Sequence, residues 1–156
     1  MTIYSHITNR YMAGDITWVD VYPEFQPKEF DSPDAPGSGT EMNMALVGKL
    51  YLIRKEVEKS IIITSGTRTW KRQQMLINLG LTKAKNSVHL HHAAADFRCR
   101  GLTPEELFLI CEAYRFDGLG LYPEANFIHA DMGLLAGVRR KPQRWTVRNG
   151  EYHYWL

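Results

Sequence analysis

From Thr40 onward the chain moves between two hydrophobic rhythms, and each predicts a different element. Leu46, Leu50, Ile53 and Val57 recur at three- and four-residue spacing, which places them on one face of a helix. Glu41 in the expected first turn, and Lys55 and Lys59 near the end, suit the helix dipole. The run SIIIT at 60–64 is short, β-branched and bounded by turn residues, the pattern of a buried strand. A second helix is expected over 70–79, capped by Thr69 and stopped by Gly80. AADFR at 94–98 reads as another strand. TPEE at 103–106 supplies a capping Thr, Pro at the first helical position and Glu at the third, so a helix starts there. It is expected to run to Arg115 and to bury Leu107, Ile110, Cys111 and Tyr114. NFIHADM at 126–132 alternates, with Phe127, His129 and Asp131 on one side and Ile128, Ala130 and Met132 on the other. Asn149 and Gly150, between two aromatic-rich runs, predict a β-hairpin with a type I′ turn. Helices that precede and interrupt short strands point to an α+β fold, a small antiparallel sheet with flanking helices.

The first 40 residues break both rhythms. They are rich in Pro, Gly, Asp and aromatic residues, with SPDAPGSG at 32–39 the densest turn signal, and read as an irregular leader packed on the domain by its aromatics. Neither a repeat nor a low-complexity linker divides the 156 residues, so 1–156 reads as a single domain. With 44% apolar and 23% charged residues, the chain has enough apolar mass to fold without a covalent staple. Its two cysteines therefore do not argue for a disulfide framework, and Cys111 reads as a buried free thiol. A formal charge of +2 gives no reason to expect a nucleic-acid partner. The basic run Arg139 to Lys141 reads as a solvated loop. The N-terminus has no basic start followed by an apolar core, and no eighteen apolar residues run together. Neither a signal peptide nor a membrane span is expected.

The chemistry concentrates in SVHLHHAAAD at 87–96. Three of the six histidines fall within residues 89–92, and Asp96 follows. His129 and Asp131 add a polar pair on one side of a strand. Two His and one Asp with an open fourth position form a ligand set for catalytic Zn²⁺. Satisfied polar residues in a crowded loop and an ordinary strand end fit the same spacing, so the residues alone leave both readings open.

Four segments resemble, in order and approximate spacing, the zinc D-Ala-D-Ala peptidase family, peptidase M15: SGTRT at 65–69, SVHLHHAAAD, GLGLYPEANFIHAD at 118–131 and RW at 144–145. The nearest likeness is to its short single-domain branch, known from bacterial murein endopeptidases and from phages. The resemblance implies the Hedgehog/DD-peptidase fold and one Zn²⁺ ion on His89, Asp96 and His129. It also implies that Arg68 faces a substrate carbonyl or carboxylate and that Ser87 contacts substrate. The implied activity is that of a zinc metallopeptidase, of carboxypeptidase or endopeptidase type, hydrolysing amide bonds in the stem peptides or cross-links of peptidoglycan.

Departures from the family pattern qualify what carries over. Several members place an acidic residue three positions before the last histidine, where this chain has Asn126, which cannot accept a proton. Asp131, on the same side of the strand as His129, is preferred in its place, to reach a bound water or to orient a ligand, with Glu124 as runner-up. His92 and Ala93 replace the usual Gly and polar residue, and His91 and His92 read as loop residues. Trp145 reads as a packing residue, while Trp70 and Tyr122 flank the expected site. These departures keep a second expectation in play, a non-catalytic structural or wall-binding module of the same fold. Without a signal segment, synthesis is expected in the cytoplasm, with phage delivery to the wall as an endolysin or among other virion proteins.

Overall fold

In the computed structural model, which describes residues 16–155, the leader is a chain of short turns. Helix α1 (Trp18–Val21) is followed by 3-10 turns at Pro27–Phe30 and Ser38–Glu41. Phe25 and Phe30 are buried, and the Phe30 ring lies 5.7 Å from Trp18 and 5.9 Å from Phe25. Aromatic packing thus fixes a segment that has little regular structure. The expectations for residues 1–15, an irregular start without a signal segment, fall outside the described residues.

Helix α2 (Met44–Val57) begins later than the pattern from Thr40 predicts. Asn43 is the reason: its side chain accepts hydrogen bonds from the N–H groups of Ala45 (2.8 Å) and Leu46 (3.2 Å), satisfying donors that a first helical turn leaves unpaired. Glu41 consequently lies in the preceding turn. Strand β1 (Ile61–Ser65) pairs only with β2 and forms a sheet edge. Of its three isoleucines only Ile61 is fully buried, which corrects the expectation of a buried strand. Helix α3 (Trp70–Asn78) starts at Thr69, whose hydroxyl accepts from Arg72 N–H at 3.0 Å.

Strand β2 (Ala94–Cys99) and helix α4 (Pro104–Glu112) follow. Both halves of the Thr103–Glu106 capping box form, at 3.0 and 3.1 Å. The helix ends at Glu112, short of Arg115. Phe108 joins Leu107 and Cys111 in the core, while Ile110 and Tyr114 are only partly covered. Strand β3 (Gly118–Tyr122) has no counterpart in the sequence reading, because two glycines in five residues hide it. β4 (Phe127–Asp131), β5 (Gln143–Arg148) and β6 (Glu151–Tyr154) complete the set. Asn149 (φ 52°) and Gly150 (φ 75°) both adopt the left-handed region, as a type I′ turn requires.

The six strands form one sheet in the order β1-β2-β4-β3-β5-β6. Every pairing is antiparallel except β3 with β5, so the α+β class holds with one parallel pair. Helix α4 packs on β2, β3 and β4, and Ala95, Phe97, Leu119, Ile128 and Ala130 join Leu46, Leu50 and Phe108 in a single core. Each large apolar side chain fully buried there contributes about 1.5–3 kcal/mol. The alternate positions of the same strands face the other way and build the site.

Candidate metal centre and its cleft

Strand register lines up Ser65, Asp96, His129, Gly120, Trp145 and Tyr154 across the sheet. Side chains alternate along each strand, so this row shares one face. His89 reaches it from the 3-10 turn Val88–His91, which Ser87 caps by accepting from His89 N–H at 3.2 Å. One ligand atom each from His89, Asp96 and His129 lie within 4.8 Å of one another, and all three residues are buried.

The partners of each imidazole decide where its protons sit. Gly66 O lies 2.6 Å from His89 Nδ1, and a carbonyl only accepts, so that nitrogen carries the proton. His89 Nε2 then points its lone pair at Asp96 Oδ1, 3.3 Å away. Asp131 Oδ2 lies 2.7 Å from His129 Nε2, which places a proton there and leaves Nδ1 facing Asp96 Oδ1 at 2.9 Å. Two lone pairs converging on a carboxylate repel unless a cation or a proton stands among them. This donor set therefore fits a divalent ion that takes nitrogen and oxygen ligands.

Without an ion, protons must resolve the same conflict. Burial alone would lower the His129 pKa, but its hydrogen bonds and charge interactions with Asp131 and Asp96 raise it to about 9. Burial holds His89 below the ordinary imidazole value. It would raise Asp96, yet His89 and His129 keep that carboxyl far below the usual carboxylate range.

Asp131 occupies a socket of its own. It is wholly buried, and Gly118 stands opposite it on β3, where an added Cβ would collide with the carboxylate. Gly133 N–H donates to Oδ1 at 2.9 Å, and Arg139 donates through Nη2 to Oδ2 at 2.8 Å and through Nε to Oδ1 at 3.2 Å. Arg139 is thus turned inward, which corrects the reading of the basic run as a solvated loop; Arg140 and Lys141 are exposed. Asp131 meets His129 on the nitrogen that faces away from the three donors. Glu124 is exposed in the turn between β3 and β4, where it accepts from Asn149 N–H at 3.1 Å, and it does not line the cleft. Asn126 lies in that same turn in the left-handed region (φ 57°).

Above the donors opens a cleft of about 300 Å³, lined among others by Arg68, Ser87, Tyr122, Trp145 and Tyr152. Arg68 is held by Ser65 Oγ (3.1 Å), Gln73 Oε1 (3.1 Å) and Asp96 Oδ2 (3.2 Å). Trp145 lies beside His129 with ring centres 5.3 Å apart and donates to Tyr122 Oη at 3.1 Å. Gly120 makes this possible, since a Cβ there would come within 2.5 Å of the indole. His91 is exposed and pairs with Asn86 (2.7 Å), whereas His92 Nδ1 braces Thr67 Oγ1 at 2.6 Å. Trp70 is exposed and lies outside the lining. Sequence reasoning missed Gln73, Arg139 and Tyr152. Arg139 was masked by its basic neighbours, and a lone Gln on a helix carries no signal of its own.

A family model for peptidase M15 matches residues 23–131, a span that includes all three donors. A Haemophilus influenzae protein described as a probable peptidoglycan L,D-endopeptidase, MepK, is 32% identical over 96 residues. The match covers 60% of this chain and 52% of the relative, so the chain spans about half the length of that protein. No solved structure gives a significant match. With the family match running over most of the chain and through the buried His-Asp-His centre, the protein belongs to the peptidase M15 family.

Proposed function

We propose that this chain is a zinc-dependent peptidase that hydrolyses amide bonds in the stem peptides or cross-links of peptidoglycan. The observation that carries the reading is the convergence of His89 Nε2 and His129 Nδ1 on Asp96 Oδ1, three donor atoms within 4.8 Å of one another on the floor of a cleft, in a chain of a peptidase family. The peptidoglycan relative supports the substrate class. A Zn²⁺ ion on His89, Asp96 and His129 would supply Lewis acidity and a water activated near neutral pH.

The remaining roles belong to the chain. Arg68, already oriented by Ser65 and Gln73, offers its planar fork to a substrate carbonyl or carboxylate. Ser87 presents its hydroxyl at the cleft edge. Trp145, Tyr122 and Tyr152 wall the cleft and hold the peptide while excluding bulk water. Asp131 works through His129: buried on the Nε2 side, it fixes the tautomer that leaves Nδ1 free. Delivery by a phage as an endolysin, or service in a virion, is the setting proposed for that activity.

A second reading has its own support. Among the described residues lining the cleft, Asp96 is the one carboxylate, so no second acid is placed to shuttle a proton. That favours a wall-binding module that keeps the centre without turnover. Digestion of purified sacculi, with mass spectrometry of the products, separates the two. We expect defined muropeptides from the zinc-loaded protein and none with chelator or with His129→Ala. Binding to sacculi without release of peptides by folded, zinc-loaded protein would establish the module instead.

A further inference from the structure

We infer that Arg139 is a positioning residue of the metal centre, one that clamps Asp131 in the orientation that presents His129 Nδ1 to the ion. The inference rests on the metal-site reading above. Arg139 belongs to no strand; it lies in the segment 132–142 that carries the chain from β4 to β5.

Three contacts turn Arg139 inward. Val138 and Arg139 both donate their backbone N–H to Gly133 O, at 2.8 and 3.0 Å, closing a tight loop beneath the side chain. The guanidinium lies over the Trp145 ring, 5.1 Å from its centre, and Nη1 donates to Gln143 Oε1. From that seat the fork reaches both oxygens of Asp131. Oδ2 is shared by His129 Nε2 (2.7 Å) and Arg139 Nη2 (2.8 Å), and Oδ1 by Gly133 N (2.9 Å) and Arg139 Nε (3.2 Å).

The geometry explains why an arginine is needed. A carboxylate bound by one amide and one imidazole can still turn about its Cβ–Cγ bond. A bidentate fork fixes its plane, and a fixed plane holds Oδ2 on Nε2. The ring of His129 is then set by a partner that is itself set, an arrangement known to tune ligand orientation and affinity at metal centres. Lysine would bring the charge without the fork.

Zinc affinity measured by competition with a chromophoric chelator, beside NMR of the His129 imidazole N–H, tests the assignment. Arg139→Met is expected to bind Zn²⁺ about 10–100-fold more weakly than the unaltered protein, with near-UV circular dichroism retained. Its His129 Nε2–H resonance is expected to shift and to exchange faster. Arg139→Lys should recover little, whereas guanidinium ion added to Arg139→Ala should restore part of the affinity. Affinity within about twofold of the unaltered protein in Arg139→Met, well under the expected loss, would overturn the inference. So would weakened binding with an unchanged His129 resonance and no response to guanidinium. Should the unaltered protein take up no Zn²⁺, the metal reading fails by itself. The Nε2–H signal of the metal-free protein and of Arg139→Lys still decides whether Arg139 clamps Asp131.

Discussion

His129 carries the sharpest prediction at the scale of a residue. In the metal-free protein its pKa stands at about 9, above the ordinary imidazole value of about 6.5. A group bound more tightly to its proton in the folded state stabilises the fold fully below the unfolded value and ceases to do so as pH rises through the folded one. The thermal midpoint of metal-free protein should therefore fall as pH climbs from about 6.5 to about 9. Excess Zn²⁺ replaces that proton, so calorimetry should find the fall flattened in its presence. An unchanging midpoint across that range without metal would contradict the hydrogen-bond assignment at His129. Metal uptake at neutral pH should release about one proton per ion, which titrations in buffers of different ionisation enthalpy detect.

Among elements, β3 does the most with the least side chain. Gly118 leaves space for the Asp131 carboxylate, and Gly120 leaves space for the Trp145 indole. Gly120→Ala is expected to push Trp145 off His129 and to cost about 1–3 kcal/mol of overpacking. Urea denaturation reads the loss, and near-UV circular dichroism reads the displaced indole. An unchanged midpoint with an unchanged indole signal would show that the wall has slack the geometry denies it.

The same strand marks where the sequence stopped being legible. His89, Asp96 and His129 stood out because they are chemically distinctive residues, and the caps at Thr69 and Thr103 because capping is local. The Asn-Gly turn was equally clear, since two successive left-handed residues have few solutions. By contrast, β3 has no strand pattern to read, because glycines fill two of its five positions. Their purpose lies across the sheet, in Asp131 opposite Gly118 and Trp145 opposite Gly120, side chains remote in sequence. Arg139 was opaque for the same reason, and so was the parallel pairing of β3 with β5, which depends on how the intervening segment crosses the sheet end.

Across the whole molecule, the cysteines test how tightly the core closes. Cys99 and Cys111 are both free and buried, and burial pushes the Cys111 thiol well above its ordinary value. An aromatic disulfide reagent should leave Cys111 unmodified in native protein and label it on unfolding. Rapid labelling of native protein would mean that α4 lifts from the sheet under native conditions. No helix among the described residues is long and apolar enough to cross a membrane.

The strand order has a mechanical consequence. Asp96 and His129 sit on β2 and β4, each flanked on both sides by another strand, whereas Tyr152 and Tyr154 sit on β6, which has a single neighbour. Interior strands open only with large parts of the fold, while an edge strand frays at small cost. The cleft thus has a stiff floor and a soft wall. A bulky polymer could spread the wall to enter without moving a single donor atom by even a fraction of a bond length.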